Sequence, residues 1–330
     1  MDAITTGLDP AEFADSAARA VAACAALDPA GRAARLAEDG LLGVLAGEEV
    51  GGLALEPRFA VPILQAAGAG DLAFPLLETL LLARHLAGPA PDIAAALIAG
   101  EVRGTIAWAG TAHPDLTGTV GRAPMARGAD WVLVRVADGA ALLPAASLTL
   151  SDAIGLDETV PEQTVALSGA PPAARLDGNT WAALTEDALV LRAALILGAA
   201  ETCLGLAVEH VSTRRQFGKP LVANQAMRHL LARHKLALEG LRGAITRATT
   251  SASDATGLLA RRAAFLTAAA QGPLIAEGVI QAHGGMGFTW EVPVHRHLRR
   301  IRALEAQGDA PRLREAVAAA LIDANESGSP

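Results

Sequence analysis

Apolar residues recur every three or four positions over most of the chain, which is the spacing that places them on one face of an α-helix. The second half contains unusually long runs of this kind, joined by short loops. Short loops between long helices favour antiparallel neighbours in an up-and-down bundle. Five helices are predicted there: 181–213, 222–250, 256–282, 292–305 and 311–325.

The first part of the chain shows the same helical spacing, but the middle does not. Between 104 and 178, short runs of β-branched and apolar residues are separated by Gly, Pro, Asp and Ser, which is typical of an antiparallel β domain. Asp138-Gly139 is the expected hairpin turn. The predicted strands are 105–108, 131–136, 141–143, 147–150 and 164–167.

These patterns predict a mainly α protein of three parts. We expect an N-terminal all-α domain over 1–103, a small middle β domain over 104–178, and a C-terminal antiparallel helix bundle over 179–330. A chain of 330 residues is long enough for two or three domains.

Composition and charge narrow the function classes. The formal net charge is −8, which argues against a nucleic-acid binder. The most apolar window, 189–208, contains Arg192 and Glu201, so no membrane span is predicted. Met1 is not followed by a basic segment and an apolar core, so no signal peptide is expected. Cys24 and Cys203 are expected to be buried free thiols, and the predicted location is the cytoplasm.

Two stretches concentrate residues that suit ligand binding. Residues 214–221, Arg-Arg-Gln-Phe-Gly-Lys-Pro-Leu, join two long helices. Residues 281–290 lie at the end of the third long helix and contain three glycines, at 284, 285 and 287. If no ligand is involved, the first stretch is a solvated helix end stabilised by the helix dipole, and the glycines of the second stretch form a helix C-cap. The functional alternative is that the arginine meets a pyrophosphate and the glycines let a dinucleotide approach the backbone. The eight histidines show no metal-ligand spacing, so no metal site is predicted.

These two stretches resemble the C-terminal domain of the flavin-dependent acyl-CoA dehydrogenases. Further similarity lies at 43–52 and 155–159, and the helical, β, helical order also matches the family. The resemblance implies FAD as the cofactor, shared between subunits of an oligomer. It assigns the adenosine diphosphate half of FAD to six positions: Arg214, Phe217, Gln225, Gln281, Gly284 and Gly285.

The reaction implied by the resemblance is the α,β-dehydrogenation of an acyl-CoA thioester. A carboxylate removes the α-proton while the β-hydrogen leaves as hydride, so the base lies opposite the flavin across the acyl chain. Here the chain departs from the family. The two usual glutamate positions fall on Gly308 and Ala188, and the weak alternatives nearby are Asp309, Glu305 and Asp187.

Three functions remain open from the sequence. The first is a base-lacking subunit of a hetero-oligomeric acyl-CoA dehydrogenase, with a sister subunit in an α2β2 arrangement. The second is a self-sufficient dehydrogenase, or related flavoenzyme, that uses Asp309 or Glu305. The third is a structural subunit without FAD. The resemblance also implies an acyl-CoA substrate and an electron-transfer flavoprotein as acceptor, and alanine-rich helices leave room for a fatty-acyl or bulkier steroid side chain.

Overall fold

The computed structural model describes residues 8–252 and 254–327. Its described part is mainly helical with a smaller β region, which confirms the predicted fold class. The helices are α1 Glu12–Ala23, α2 Pro29–Glu38, α3 Pro57–Ala69, α4 Leu76–Leu86, α5 Pro91–Ile98, α6 Gly178–Thr213, α7 Gln225–Thr250, α8 Ala255–His283, α9 Val294–Gln307 and α10 Ala310–Ser327.

The β region holds two sheets between α5 and α6. The strands are β1 Gly104–Ala107, β2 Thr117–Pro124, β3 Trp131–Val136, β4 Gly139–Pro144, β5 Thr149–Asp152, β6 Glu162–Ser168 and β7 Ala174–Asp177. One sheet has the order β1-β3-β4-β7 and the other β2-β6-β5. Apolar residues of the two sheets form a core of their own, separate from the main helical core.

Each of the five predicted runs overlaps an observed strand, although 147–150 does so only at its last two residues, and the prediction was incomplete. Strands β2 and β7 were missed, because β2 contains glycines at 118 and 121 and β7 has only four residues. The antiparallel assignment is wrong for one pair, since β1 runs parallel to β3. The hairpin prediction is correct to one position: Val136 pairs with Gly139, so Ala137 and Asp138 form the turn.

Helices α6 and α8 form the centre of the bundle, where each is apolar on nearly all sides. By length and composition both could cross a membrane, but 78% and 56% of their most apolar windows are buried inside the protein. Burial in the bundle core accounts for their composition. Pro273 lies inside α8, which continues unbroken to His283. Cys24 and Cys203 are buried and free, as predicted.

Helix α3 crosses α6 at very short range because both helices place a glycine at the crossing. A Cβ atom at Gly68 would lie 2.0 Å from the Leu195 carbonyl oxygen, and one at Gly198 would lie 1.9 Å from the Gln65 carbonyl oxygen. Only backbones without side chains approach this closely. The crossing fixes the N-terminal helices on the bundle.

A buried ion cluster joins the β region to the helices. Arg300 on α9 pairs with Asp157, which lies in the loop between β5 and β6, and it donates a hydrogen bond of 2.8 Å to Thr159 Oγ1. Arg300 also lies 3.4 Å from a carboxylate oxygen of Asp71. Burial opposes ionisation of Asp157, but Arg300 and the hydrogen bonds more than offset it and hold its pKa below the usual range.

Candidate functional site: an exposed bundle end and a cavity beside Gly308

The stretch after α6 folds as a small hairpin. Strand β8, Arg215–Gln216, pairs with β9, Lys219–Pro220, around a two-residue turn. Both turn residues have positive φ, +53° at Phe217 and +78° at Gly218. This is the combination that a tight hairpin needs, and glycine or asparagine usually supplies it.

Phe217 is an unusual residue for that turn. A left-handed conformation costs a non-glycine residue about 1–2 kcal/mol, and the side chain is 96% exposed, so burial within this chain does not offset the cost. The turn therefore presents an aromatic ring outward. This arrangement suits contact with a partner or ligand better than packing within the chain.

Arg214 is fixed by its backbone while its side chain points to solvent. Its N–H donates to the His210 carbonyl at 2.8 Å, and its carbonyl accepts from the Leu221 N–H at 2.9 Å. Arg215 and Lys219, which follow in the same hairpin, are also exposed. Three cations within six residues favour an anionic ligand, with bidentate pairing to phosphate oxygens as the strongest mode.

The glycine stretch after α8 leaves its backbone open. Gly284 has φ +61° and ψ −138°, a conformation reserved for glycine and different from the left-handed cap that packing alone would predict. A Cβ atom at Gly284 or Gly285 would meet nothing within 4 Å, whereas one at Gly287 would lie 2.6 Å from the Ile280 carbonyl oxygen. Gly284 and Gly285 therefore leave the backbone accessible from outside, whereas Gly287 is required for close packing against Ile280.

The fold brings these stretches to one end of the bundle. The rings of His210 on α6 and His283 on α8 stack with centroids 4.4 Å apart, so the hairpin and the glycine stretch leave from adjacent helix ends. Burial, and then the charges of His283 and Arg214, lower the pKa of His210. Gln225 is the first residue of α7 at the same end, and it and Gln281 are exposed.

The residues at this end fit the adenosine diphosphate part of FAD. They offer an exposed guanidinium for pyrophosphate, two amide side chains for hydrogen bonds, and bare backbone for close approach of a flat or charged group. The assignment of Arg214, Phe217, Gln225, Gln281, Gly284 and Gly285 to FAD stays a prediction that this geometry supports.

A separate cavity of about 740 Å³ lies between the β region and the bundle, next to Gly308. It is bordered by the end of β1, by α6, and by the turn between α9 and α10. Its charged and aromatic lining includes Trp108, Trp181, Arg122, Arg135, Arg192 and Arg312.

Gly308 lies at this cavity, and its own side-chain position is already filled. A Cβ atom there would lie 2.2 Å from Cζ of Phe265, a fully buried ring on α8. The backbone itself is ordinary, with φ −85° and ψ 2°. Any side chain at 308 therefore requires Phe265 to move. Ala188, the other usual acid position, is fully buried in the core.

The nearby acids differ in what they face. Asp309 is exposed and lines the 740 Å³ cavity. Glu305 instead accepts a hydrogen bond of 2.8 Å from Arg302. Asp187 lies 3.5 Å from Arg84 and lines a different cavity of about 600 Å³. Of the acids proposed from the sequence, Asp309 is the one that the described structure places at the cavity.

One buried cluster at the cavity was missed from the sequence. Trp108 donates from Nε1 to Glu78 on α4 at 2.8 Å, and the guanidinium of Arg192 lies 4.2 Å from the centre of its ring. Burial raises the pKa of Glu78 and lowers that of Arg192 to about 10. The one sign of this cluster in the sequence was the position of Arg192 within an otherwise apolar run. In the described part of the chain, no group of three or more ligating side chains is arranged to hold a metal.

Comparison with known proteins identifies the family. The profile of the acyl-CoA dehydrogenase C-terminal domain matches residues 181–322. The chain is similar to the acyl-CoA dehydrogenase FadE34 of Mycobacterium tuberculosis, with 32% identity over 82% of this chain and 39% of that protein. It is also similar to acyl-CoA dehydrogenase IpdE2 of the same organism, with 36% identity over 39% of each chain. The chain thus matches about two fifths of the length of these relatives.

Solved structures show the same fold at lower identity. A chain of the ChsE4-ChsE5 complex from Mycobacterium tuberculosis superposes with a TM-score of 0.86 at 23% identity, covering all of both chains. A glutaryl-CoA dehydrogenase from Mycobacterium smegmatis in complex with FADH2 superposes with a TM-score of 0.81 at 18% identity, covering 95% of each chain. With the matching profile and relatives, the helical, β, helical order and the two motifs at the bundle end show that this chain belongs to the acyl-CoA dehydrogenase family.

Proposed function

We propose that the protein is a subunit of a hetero-oligomeric, FAD-dependent acyl-CoA dehydrogenase that holds the nucleotide half of FAD and leaves proton abstraction to a sister subunit. The observation that carries this proposal is the contrast between the two sites. The bundle end keeps exposed binding groups, whereas the acid position holds Gly308 packed against Phe265.

In this assignment the chain contributes binding rather than acid–base chemistry. Arg214 pairs with the pyrophosphate, and the backbone at Gly284 and Gly285 lets the nucleotide approach closely. Phe217 lies outward on the hairpin, where its ring meets a group from outside this chain. When bound, FAD supplies the hydride acceptor for the β-hydrogen of the acyl thioester.

The α-proton needs a carboxylate on the other face of the acyl chain. Glu305 is engaged by Arg302, and Gly308 carries no side chain. A glutamate of the sister subunit therefore takes the proton. The solved ChsE4-ChsE5 structure, which is a complex of two different chains, supports the hetero-oligomeric part of the proposal.

A self-sufficient enzyme is the second candidate, and the placement of Asp309 at the cavity is the observation in its favour. Its carboxylate would act as the base. Turnover by the protein without a sister chain, abolished by Asp309→Asn, would establish this candidate and exclude the first. We further propose a cytoplasmic location, an acyl-CoA substrate and electron-transfer flavoprotein as the electron acceptor.

The decisive test of FAD binding is the flavin content of the purified native complex. We expect Arg214→Ala to lower the FAD-to-chain ratio at least about tenfold at limiting FAD, since a charge-assisted pair contributes about 1.5–3 kcal/mol. Arg314→Ala, on an exposed position of α10, is the matched control and should retain FAD. A complex that carries no flavin, or an Arg214→Ala complex with full flavin, would refute the assignment.

A further inference from the structure

The cavity beside Gly308 has a lining that does not suit an apolar acyl chain. Of its charged lining residues four are arginines, Arg122, Arg135, Arg192 and Arg312, and Asp309 is the acid. Arg122 is partly neutralised by Glu162 at 3.1 Å. The remaining three guanidiniums outnumber the single carboxylate of Asp309, so the cavity has a positive potential, which concentrates small anions.

Arg192 is the strongest sign that a ligand completes this site. It is 2% exposed, and its Nε and Nη2 atoms have no hydrogen-bond partner among the described residues. Glu78, the carboxylate near it, instead accepts from Trp108. A buried guanidinium with unused donors is costly to keep, and an entering oxyanion supplies the acceptors that this chain does not.

The interior behind this cluster is closed to an acyl chain. The small space there is lined by leucines, among them Leu195 and Leu304, and also by Glu78, Asp157 and Arg300. Its volume is about 30 Å³, which is room for one or two water molecules. Trp108 belongs to the lining of the open cavity, and it is held by its indole N–H, which donates to Glu78, and by Arg192, which packs on its ring face. The open cavity is therefore broad and cationic, and it lacks an apolar tunnel.

We propose that this cavity binds a small polyanion through its phosphate or carboxylate groups, with Arg192 and Arg135 as the principal contacts. Two indoles, Trp108 and Trp181, border the same space and favour a ligand with a flat portion beside its anionic group. This proposal rests on the proposed function in one respect, namely that acyl oxidation does not take place in this cavity. The binding test measures anion affinity and does not depend on bound flavin.

The experiment is a calorimetric and tryptophan-fluorescence titration of the full-length protein, in its complex, with inorganic pyrophosphate and separately with succinate. Two of the four tryptophans line the cavity, so binding should change the emission. Binding of pyrophosphate alone assigns a phosphate ligand, and binding of succinate alone assigns a carboxylate ligand. Binding of both anions supports the shared oxyanion chemistry.

Variants locate the binding to the cavity. We expect Arg192→Met and Arg135→Gln each to weaken binding about tenfold, the effect of losing one charge-assisted contact. Arg314→Gln, outside the cavity, should leave affinity unchanged. Arg135 is exposed, so that variant remains informative if Arg192→Met fails to fold.

Three outcomes would overturn the proposal. The first is no binding of either anion at about 10 mM, which is about ten times the dissociation constant of a weak site of about 1 mM. The second is binding that both cavity variants leave unchanged, and the third is equal loss of binding in Arg314→Gln. The flavin content of the same samples reports separately on the proposed function, so failure of either proposal is distinguishable from failure of the other.

Discussion

Gly308 occupies one of the two positions where the family usually has its catalytic glutamate, and the cost of adding a side chain there can be measured. A methyl group there would lie 2.2, 2.6 and 2.9 Å from three ring atoms of Phe265, where carbon atoms normally approach no closer than about 3.5 Å. The ring must move by roughly 1 Å in a core packed near crystal density. Overpacking of this kind costs about 1–3 kcal/mol, so Gly308→Ala should lower the free energy of unfolding by that amount.

A double-mutant cycle isolates the contact. Phe265→Leu removes the ring atoms that clash, so Gly308→Ala should cost much less in that background, with a coupling of about 0.5–3 kcal/mol. Urea denaturation of the four proteins measures it, and Gly205→Ala, where a Cβ atom meets nothing within 4 Å, controls for adding a methyl group to glycine. A Gly308→Ala protein as stable as the parent, with no coupling to Phe265→Leu, would refute the reasoning that Phe265 fills the acid position.

Three further predictions concern the stability of the fold. Gly198→Ala should destabilise by about 3 kcal/mol because the added methyl meets the backbone of α3, whereas Gly205→Ala on the same helix should be neutral or slightly stabilising; thermal denaturation compares them. Arg300→Ala should cost about 3–5 kcal/mol because it leaves buried carboxylates unpaired, while loss of the more exposed pair through Arg299→Ala should cost at most about 1 kcal/mol in urea denaturation. Burial lowers the pKa of His297, so the unfolded chain takes up this proton at a higher pH than the folded chain does. The urea concentration at the midpoint of unfolding should therefore decrease as the pH is lowered from about 7 to about 5.5, and His297→Gln should flatten that dependence.

The helical part of the fold was predictable because the spacing of apolar residues in a helix repeats every three or four positions. The long apolar runs place α6, α7 and α8 within three residues of their observed ends. The start of α2 is set by a similarly local interaction, since the Asp28 carboxylate accepts a hydrogen bond of 2.7 Å from the Gly31 N–H. Such signals lie within a few residues of each other, so one sequence is enough to find them.

The β region and the cavity were harder because their determinants are distant in sequence. The parallel pairing of β1 with β3 depends on contacts across more than twenty residues, which no local pattern encodes. The pairing of Arg300 with Asp157 and the packing of Phe265 against Gly308 likewise appear only after folding. The domain boundaries at 103 and 178 and the FAD contacts remain proposals, and the element positions are consistent with both.

The acid positions show which part of the site counting along the sequence can locate and which part it leaves undecided. Counting from the glycine stretch located Gly308, and the structure places it at a cavity. Counting could not separate Asp309, which faces that cavity, from Glu305, which is held by Arg302. That distinction depends on side-chain direction at the end of α9, where Asp309 adopts φ +46°.

Anaerobic titration of the protein with an acyl-CoA, followed by flavin absorbance, tests the central claim most directly. It should be run on this chain alone, supplied with FAD, and on the complex isolated with its sister chain. We predict bleaching of the flavin only in the complex, because this chain supplies no base at Gly308. Flavin reduction by this chain as a homomer would contradict the account.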